Sequence, residues 1–244
     1  MNLNPLPLLF RPAIRVLAAG LPLALVSFPT LAFTPNPQVI EEREVHTLEI
    51  GESIPDFKLP NAYGEWMELE DFSDAEVLTV VFLCNHCPTA QAYEDRLIEY
   101  TREYEERGVA VIAMMPNSAK GLLLEECGYS DLNDSYEEMA IRAEHKGYNF
   151  PYLYDGDDHE VSLEFGPVAT PHVFVFDQGR KLQYAGRIDD SEKPGTGHAE
   201  DLRNATDALL NGETPELQKT KAFGCSVKWS WKLDWARKVN REWA

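Results

Sequence analysis

The chain has 244 residues, 44% of them hydrophobic and 26% charged, which is enough apolar material for one medium-sized core without a disulfide scaffold. A formal net charge of −19 repels phosphate backbones and anionic bilayers, so nucleic acid and membrane surfaces are poor partners for it. Four cysteines (Cys84, Cys87, Cys127 and Cys225) are too few and too scattered to staple a mini-domain, and the chain shows no internal repeat.

Residues 1–32 read as a secretory signal: Arg11 and Arg15 precede or border the apolar run Val16–Val26, no acid occurs before Glu41, and Thr30-Leu31-Ala32 offers a small-residue cleavage site. The 11-residue run is short for a membrane span and contains Gly20 and Pro22, so cleavage is expected over an uncleaved N-terminal anchor. Removal of two arginines and no acid takes the net charge from −19 to −21. A periplasmic or secreted setting follows, one in which a cysteine pair can remain oxidised, with no stable membrane insertion after cleavage.

Residues 33–47 form a Pro-containing, then charged linker, and 48–212 the main domain. Phe57 and Leu59 alternate with polar neighbours, and Asn61–Gly64 has turn composition, which predicts a short hairpin ahead of the main sheet. Val77–Leu83 is a continuous apolar run suited to a strand buried on both faces. Helical spacing follows to about Glu106, Gly108 stops it, and Val109–Met115 is a second buried strand, so this stretch predicts a parallel βαβ unit. The acidic residues 119–148 are predicted to be a helical insertion with a Ser135/Glu138 capping box. A short strand at Tyr152–Tyr154, a helix around His159–Phe165, and a hairpin of Pro171–Phe176 with Lys181–Ile188 come next. Ala199–Leu210 is the last helix of the domain. The order predicts a three-layer α/β/α fold with a mixed central sheet, in a thioredoxin-like layout. Residues 213–244 form a tail that ends in a helical stripe of Trp231, Trp235, Val239 and Trp243, expected to dock on the acidic body.

The chemistry sits where the first buried strand meets its helix, at Cys84-Asn85-His86-Cys87-Pro88. Unpaired N–H groups and the helix dipole stabilise a thiolate there, and the thiolate is the reactive form of cysteine. Cys84 is expected to attack a partner disulfide and Cys87 to resolve the mixed disulfide, with His86 lowering the thiolate pKa through its charge or a hydrogen bond. No organic cofactor is required; the partners are protein or small-molecule thiols and disulfides.

Gly51–Pro60, the Cys84–Pro88 motif, Tyr152–Asp155, Thr170-Pro171-His172, Arg187–Ser191 and Gly224-Cys225-Ser226-Val227-Lys228-Trp229 together resemble the redoxin branch of the thioredoxin superfamily (alkyl hydroperoxide reductase/thiol-specific antioxidant-like), over roughly residues 48–230. The match is to bacterial peroxiredoxin-like proteins with a Cys-Asn-His-Cys-Pro motif. The resemblance implies a thioredoxin fold with Pro171 as a cis-proline facing the cysteines, and a Thr170 backbone that pairs with a substrate strand. Two departures narrow it. Leu78 stands where thioredoxins place a buried aspartate, and Cys84 and Val80 occupy the Thr and Pro positions that precede a peroxidatic cysteine when Cys87 is set in its place. Disulfide exchange is therefore expected over thiol-dependent peroxidase activity. His86 directly before the second cysteine is similar to strongly oxidising Cys-Pro-His-Cys proteins.

An alternative of another class places Cu(I) or Zn(II) between Cys84, Cys87 and His172, although copper chaperones of this fold use a Cys-x-x-x-Cys spacing. Cys225 reads either as a third redox thiol or as a structural residue. Cys127 reads as a bystander or as a disulfide partner of Cys225. His46, His145, His159 and His198 read as surface residues, and Asp155–Asp158 as a solvated turn.

Overall fold

The computed structural model describes residues 44–123, 126 and 132–232. Its elements are β1 (Lys58–Pro60), β2 (Trp66–Glu68), β3 (Val77–Phe82), α1 (Pro88–Tyr104), β4 (Val109–Met115), α2 (Tyr136–Lys146), β5 (Tyr152–Tyr154), α3 (Glu160–Phe165), β6 (Ala169–Thr170), β7 (His172–Phe176), β8 (Leu182–Gly186), α4 (Asp201–Leu210) and β9 (Cys225–Ser226). The cleavage site, Cys127 and the Trp235–Trp243 stripe lie outside the described residues.

The apolar run at β3 makes the centre. All six of its residues are buried, and it pairs in parallel with β4 and antiparallel with β7 in a five-stranded sheet of order β5-β4-β3-β7-β8. Strand alternation divides its side chains between two cores. Val77 and Val81 face α1 and α4, meeting Leu97, Tyr100, Leu202 and Ala205. Leu78, Val80 and Phe82 face α3 and the β1–β2 hairpin, meeting Phe165, Phe174, Phe176 and Leu59. Thr79 interrupts the apolar run at no loss, because its hydroxyl joins Tyr100 at 3.0 Å and Tyr100 joins Thr206 at 2.7 Å, tying β3, α1 and α4 together. The mixed sheet with helices on both faces is the expected thioredoxin-like α/β fold.

Gly108 ends the α1 segment with a φ of +82°, a conformation open to glycine at little cost. The insertion is held to α1 by Glu94, which is fully buried. Its carboxylate takes the Arg142 guanidinium through two hydrogen bonds, at 2.7 and 2.6 Å, and the Tyr148 hydroxyl at 2.6 Å. The expected capping box takes a different form. Asn133 Oδ1 accepts from the Ser135 N–H at 2.6 Å, and Glu138 reaches past Ser135 to the Asn133 N–H at 2.7 Å. This double turn fixes Asn133 and Asp134 above the end of β3.

Phe165 is fully buried and meets Phe82, Phe174 and Phe176 edge-on. Phe165→Ala is expected to lower unfolding free energy by about 3–5 kcal/mol, read as a lower denaturant midpoint at unchanged slope.

Candidate active site

β3 ends at Phe82, and two residues later Cys84 lies beneath the start of α1. Pro88 occupies the first helical position, where its missing N–H is harmless, and this makes Cys87 the N-cap. The helix start therefore favours the second cysteine, not the first. Cys87 Sγ accepts from the Ala90 N–H at 3.5 Å and from the Cys225 N–H at 3.3 Å, and in its thiol form it donates to the Thr170 carbonyl at 3.2 Å. Thiol hydrogen bonds from Cys225, foremost, and from Cys84 draw its pKa far below the ordinary thiol range. Cys84 goes the other way. Burial pushes its thiol well up, helped by the Cys87 sulfur and the Asp134 carboxylate. Its Sγ lies 3.0 Å from the Thr170 hydroxyl. The Cys225 thiol is also raised, by its hydrogen bond to Cys87 and by burial.

The Asn85-His86 dipeptide is clasped by Asp134, a fully buried carboxylate. Oδ1 accepts from the Asn85 and His86 N–H groups at 2.9 and 3.0 Å, and Oδ2 meets His86 Nδ1 at 2.6 Å and Asn117 Nδ2 at 2.7 Å. His86 Nδ1 thus lies 3.5 Å from the Cys84 sulfur.

The Thr170–Pro171 bond is cis, and Thr170 reaches both cysteines, its hydroxyl meeting Cys84 and its carbonyl Cys87. His172 does not join them. As the first residue of β7 it shares the face of Phe174, toward the opposite core; its ring centroid is 4.5 Å from that of Phe174, and Nδ1 accepts from the Val168 N–H at 3.3 Å. Burial takes its pKa down to about 4. The metal set Cys84, Cys87 and His172 is therefore corrected: strand alternation separates the imidazole from the sulfurs. Cys84, His86 and Asp134 do converge within 4.8 Å. However, the 2.6 Å carboxylate–imidazole contact is that of a hydrogen bond holding the proton on Nδ1, and Asp134 already has four donors. Those residues fit a positioning network better than an ion.

His159 is a second correction. It is fully buried, with Nδ1 on the Pro116 carbonyl at 3.0 Å and Nε2 accepting the Ser230 N–H at 2.9 Å, and it packs edge-on against the stacked rings of Trp229 and Trp231. His46, His145 and His198 are exposed as expected. The Thr170 backbone, expected to be open, is buried against β9, with Thr170 opposite Cys225. Sequence reasoning did not find Asp134, Asn117 or the Thr170 hydroxyl. Asn117, at the carboxyl end of a parallel strand, stands where open α/β sheets place their functional loops; nothing local marks Asp134.

A thioredoxin-like α/β fold with a Cys-x-x-Cys pair set against a cis-proline defines a redoxin. The chain belongs to the AhpC/TSA family, whose model matches residues 50–185, more than half its length. Among solved structures it is similar to a hypothetical protein of Sinorhizobium meliloti 1021, with 31% identity and a TM-score of 0.66 over 77% of this chain and 98% of that one. It is also similar to an uncharacterised conserved protein of Geobacillus kaustophilus, with 34% identity and a TM-score of 0.66 over 77% and 95%. Peroxidoxin BcpB of Mycobacterium tuberculosis shares the fold alone, at 17% identity and a TM-score of 0.51 over 68% and 98%. No protein of curated function matches the chain.

The depressed Cys87 pKa has a measurable consequence. Folded Cys87 releases its proton below the unfolded value of about 8.5, so the unfolded chain binds more protons there and stability rises with pH up to that value. Cys84 and Cys225, whose folded values are raised, lose their contribution as pH climbs past it. Denaturant titrations of the reduced chain are expected to show stability highest near pH ~8.5, and Cys87→Ser should remove the rise between about pH 6.5 and 8.5, leaving the rise at lower pH to which the folded, neutral His172 contributes.

Proposed function

We propose that this protein is an exported thiol–disulfide oxidoreductase that exchanges disulfides with protein or small-molecule thiols through Cys84 and Cys87. The observation that carries the reading is the unequal setting of two adjacent sulfurs. Donors converge on Cys87, whereas Cys84 is held as a buried thiol beside Thr170 and His86. The Cys87 thiolate attacks a partner disulfide, forming a mixed disulfide and releasing one partner thiolate. Cys84 then attacks Cys87 Sγ, closing the Cys84–Cys87 disulfide and releasing the second; its proton goes to the departing sulfur. The roles of the two cysteines are the reverse of those the sequence suggests, because the helix is capped by Cys87. The run of reverse steps oxidises a dithiol. Thr170 and cis Pro171 position the pair, and the His86–Asp134 contact holds the loop between the sulfurs.

The fold family also contains peroxidases, but a cysteine and a valine, Cys84 and Val80, stand where a peroxidatic site keeps Thr and Pro. Residues 1–32 support export, and N-terminal sequencing of the mature chain is expected to begin at Phe33.

Insulin reduction and dithiol-peptide oxidation test the reading. Cys87→Ser is expected to abolish both, and Cys84→Ser to slow turnover at least about tenfold, because the buried resolving thiol of the pair is gone. Because the reduced form is stabilised at Cys87, the reduction potential should lie above thioredoxin's roughly −270 mV, toward the −120 mV of strong oxidants. Full turnover in Cys87→Ser, or hydroperoxide consumption much faster than disulfide exchange, would overturn it.

A further inference from the structure

The tail completes the active site. β9 adds antiparallel to β6, with Ala169 opposite Ser226 and Thr170 opposite Cys225, so this chain itself fills the backbone edge beside the cis-proline. Gly224 permits the approach: its φ is +152°, and a Cβ there would lie 2.1 Å from the Thr170 carbonyl oxygen. The segment is held on both sides of β9. Ala222, Val227 and Trp229 are buried. The Lys228 N–H donates to Asn117 Oδ1 at 2.8 Å, its carbonyl accepts the Ser118 N–H at 2.9 Å, and its Nζ meets Glu126 at 2.5 Å.

Cys84 is left 1% exposed and Cys87 0%. Cys225 is only half-buried, and it touches Cys87 twice: through its N–H at 3.3 Å and through its own thiol. A partner strand cannot pair with Thr170 while β9 occupies it, yet the thiol of a residue less buried than either, Cys225, already lies against the pair.

We propose that Cys225 is a third catalytic thiol, which takes the disulfide from Cys84–Cys87 as a Cys87–Cys225 disulfide and hands it to a protein dithiol at the surface. This rests on the oxidoreductase reading above and names the route by which its partner is served. In the oxidised chain Cys225 Sγ attacks Cys87 Sγ. The Cys84–Cys87 bond breaks, Cys84 leaves with the electron pair, and in net terms the Cys225 proton moves to Cys84. A partner thiol then attacks Cys225 Sγ, breaking the Cys87–Cys225 bond and releasing Cys87 as a thiolate, the leaving group its N–H donors stabilise. The partner's second thiol attacks the partner sulfur of that mixed disulfide and frees Cys225. The partner dithiol has been oxidised to a disulfide, and the pair reduced to a Cys84 thiol and a Cys87 thiolate. One partner proton goes to Cys225 and the other to solvent. The same steps reversed reduce a partner disulfide.

The test uses the full chain and its Cys84→Ser and Cys225→Ser variants, oxidised with glutathione disulfide, acid-quenched, and mapped for disulfides by mass spectrometry. Exchange with a reduced dithiol peptide is followed in parallel. Cys84→Ser is expected to hold a Cys87–Cys225 bond in most molecules. Cys225→Ser should still close Cys84–Cys87 but exchange with the peptide roughly tenfold slower or worse. Wild-type exchange in Cys225→Ser overturns the proposal, as does a Cys84→Ser chain in which Cys225 stays free or is bonded to Cys127. If neither wild type nor Cys225→Ser closes Cys84–Cys87, the oxidoreductase reading itself falls, and the relay with it. Should Cys225→Ser not fold, wild type quenched during turnover is mapped instead: a Cys87–Cys225 species supports the relay and its absence overturns it.

Discussion

A buried carboxylate is costly unless every lone pair is used, and Asp134 uses four donors to meet that condition. Two are backbone N–H groups of the loop between the cysteines, one is the His86 ring, and one is the Asn117 amide. The conformation of Asn85-His86 is therefore fixed from outside its own segment, by a residue delivered from the insertion. Asn117 passes the constraint onward, since its other amide atom accepts the Lys228 N–H of the tail. Insertion, cysteine loop and tail thus share one polar network, and the Glu94–Arg142 pair anchors its far side to α1. In a thioredoxin the carboxylate near the cysteines comes from the strand; here Leu78 at that position is wholly buried in the apolar core, and the insertion supplies the charge instead.

The two active-site sulfurs illustrate how neighbouring groups of one chemical type come to differ. Burial penalises the thiolate at both positions. Only Cys87 has backbone donors and thiol donors directed at it, and it alone caps a helix of 17 residues. Cys84 has a hydroxyl on one side, but the Asp134 carboxylate acts against its ionisation. Environments that push the pKa values of paired groups apart assign their roles, and here the thiols of Cys225 and Cys84 directed at Cys87 lead, with the helix start adding the Ala90 N–H. Pro88 sets where the helix begins, and that decides which cysteine receives its N–H groups.

Much of this was written locally. The buried β3, apolar but for Thr79, the Gly108 stop and the β7–β8 hairpin each depend on residues within a few positions, and the pattern at those positions predicts them; the cis form of Pro171 is legible through the family resemblance instead. The Cys-x-x-Cys motif at a strand–helix junction is equally local. Which cysteine caps the helix was legible too, in the Cys87-Pro88 dipeptide, but only to a reading that gives the proline the first helical position. Asp134 was not legible, because its donors on Asn85 and His86 lie 49 and 48 positions away and Asn133-Asp134-Ser135 has the composition of any helix-capping turn. His159 is illegible for the same reason: its polar neighbours in sequence say nothing of Trp229 and Trp231, whose stacked rings pack against it from the far end of the chain.

The occupied edge at Thr170 follows a general constraint on sheets. An unpaired strand edge is a template for any extended chain, and a stabilised thiolate beside it would react with any disulfide that docked there. Closing that edge with β9 removes both exposures at once, since the same two residues that pair with Ala169 and Thr170 bury Cys87 and add an N–H to its sulfur. Protection and activation of Cys87 are thus one structural act. A tail that only shielded the thiolate would have no reason to carry a thiol into contact with it; Cys225, placed at the half-buried position opposite Thr170, turns the cover into a point of access.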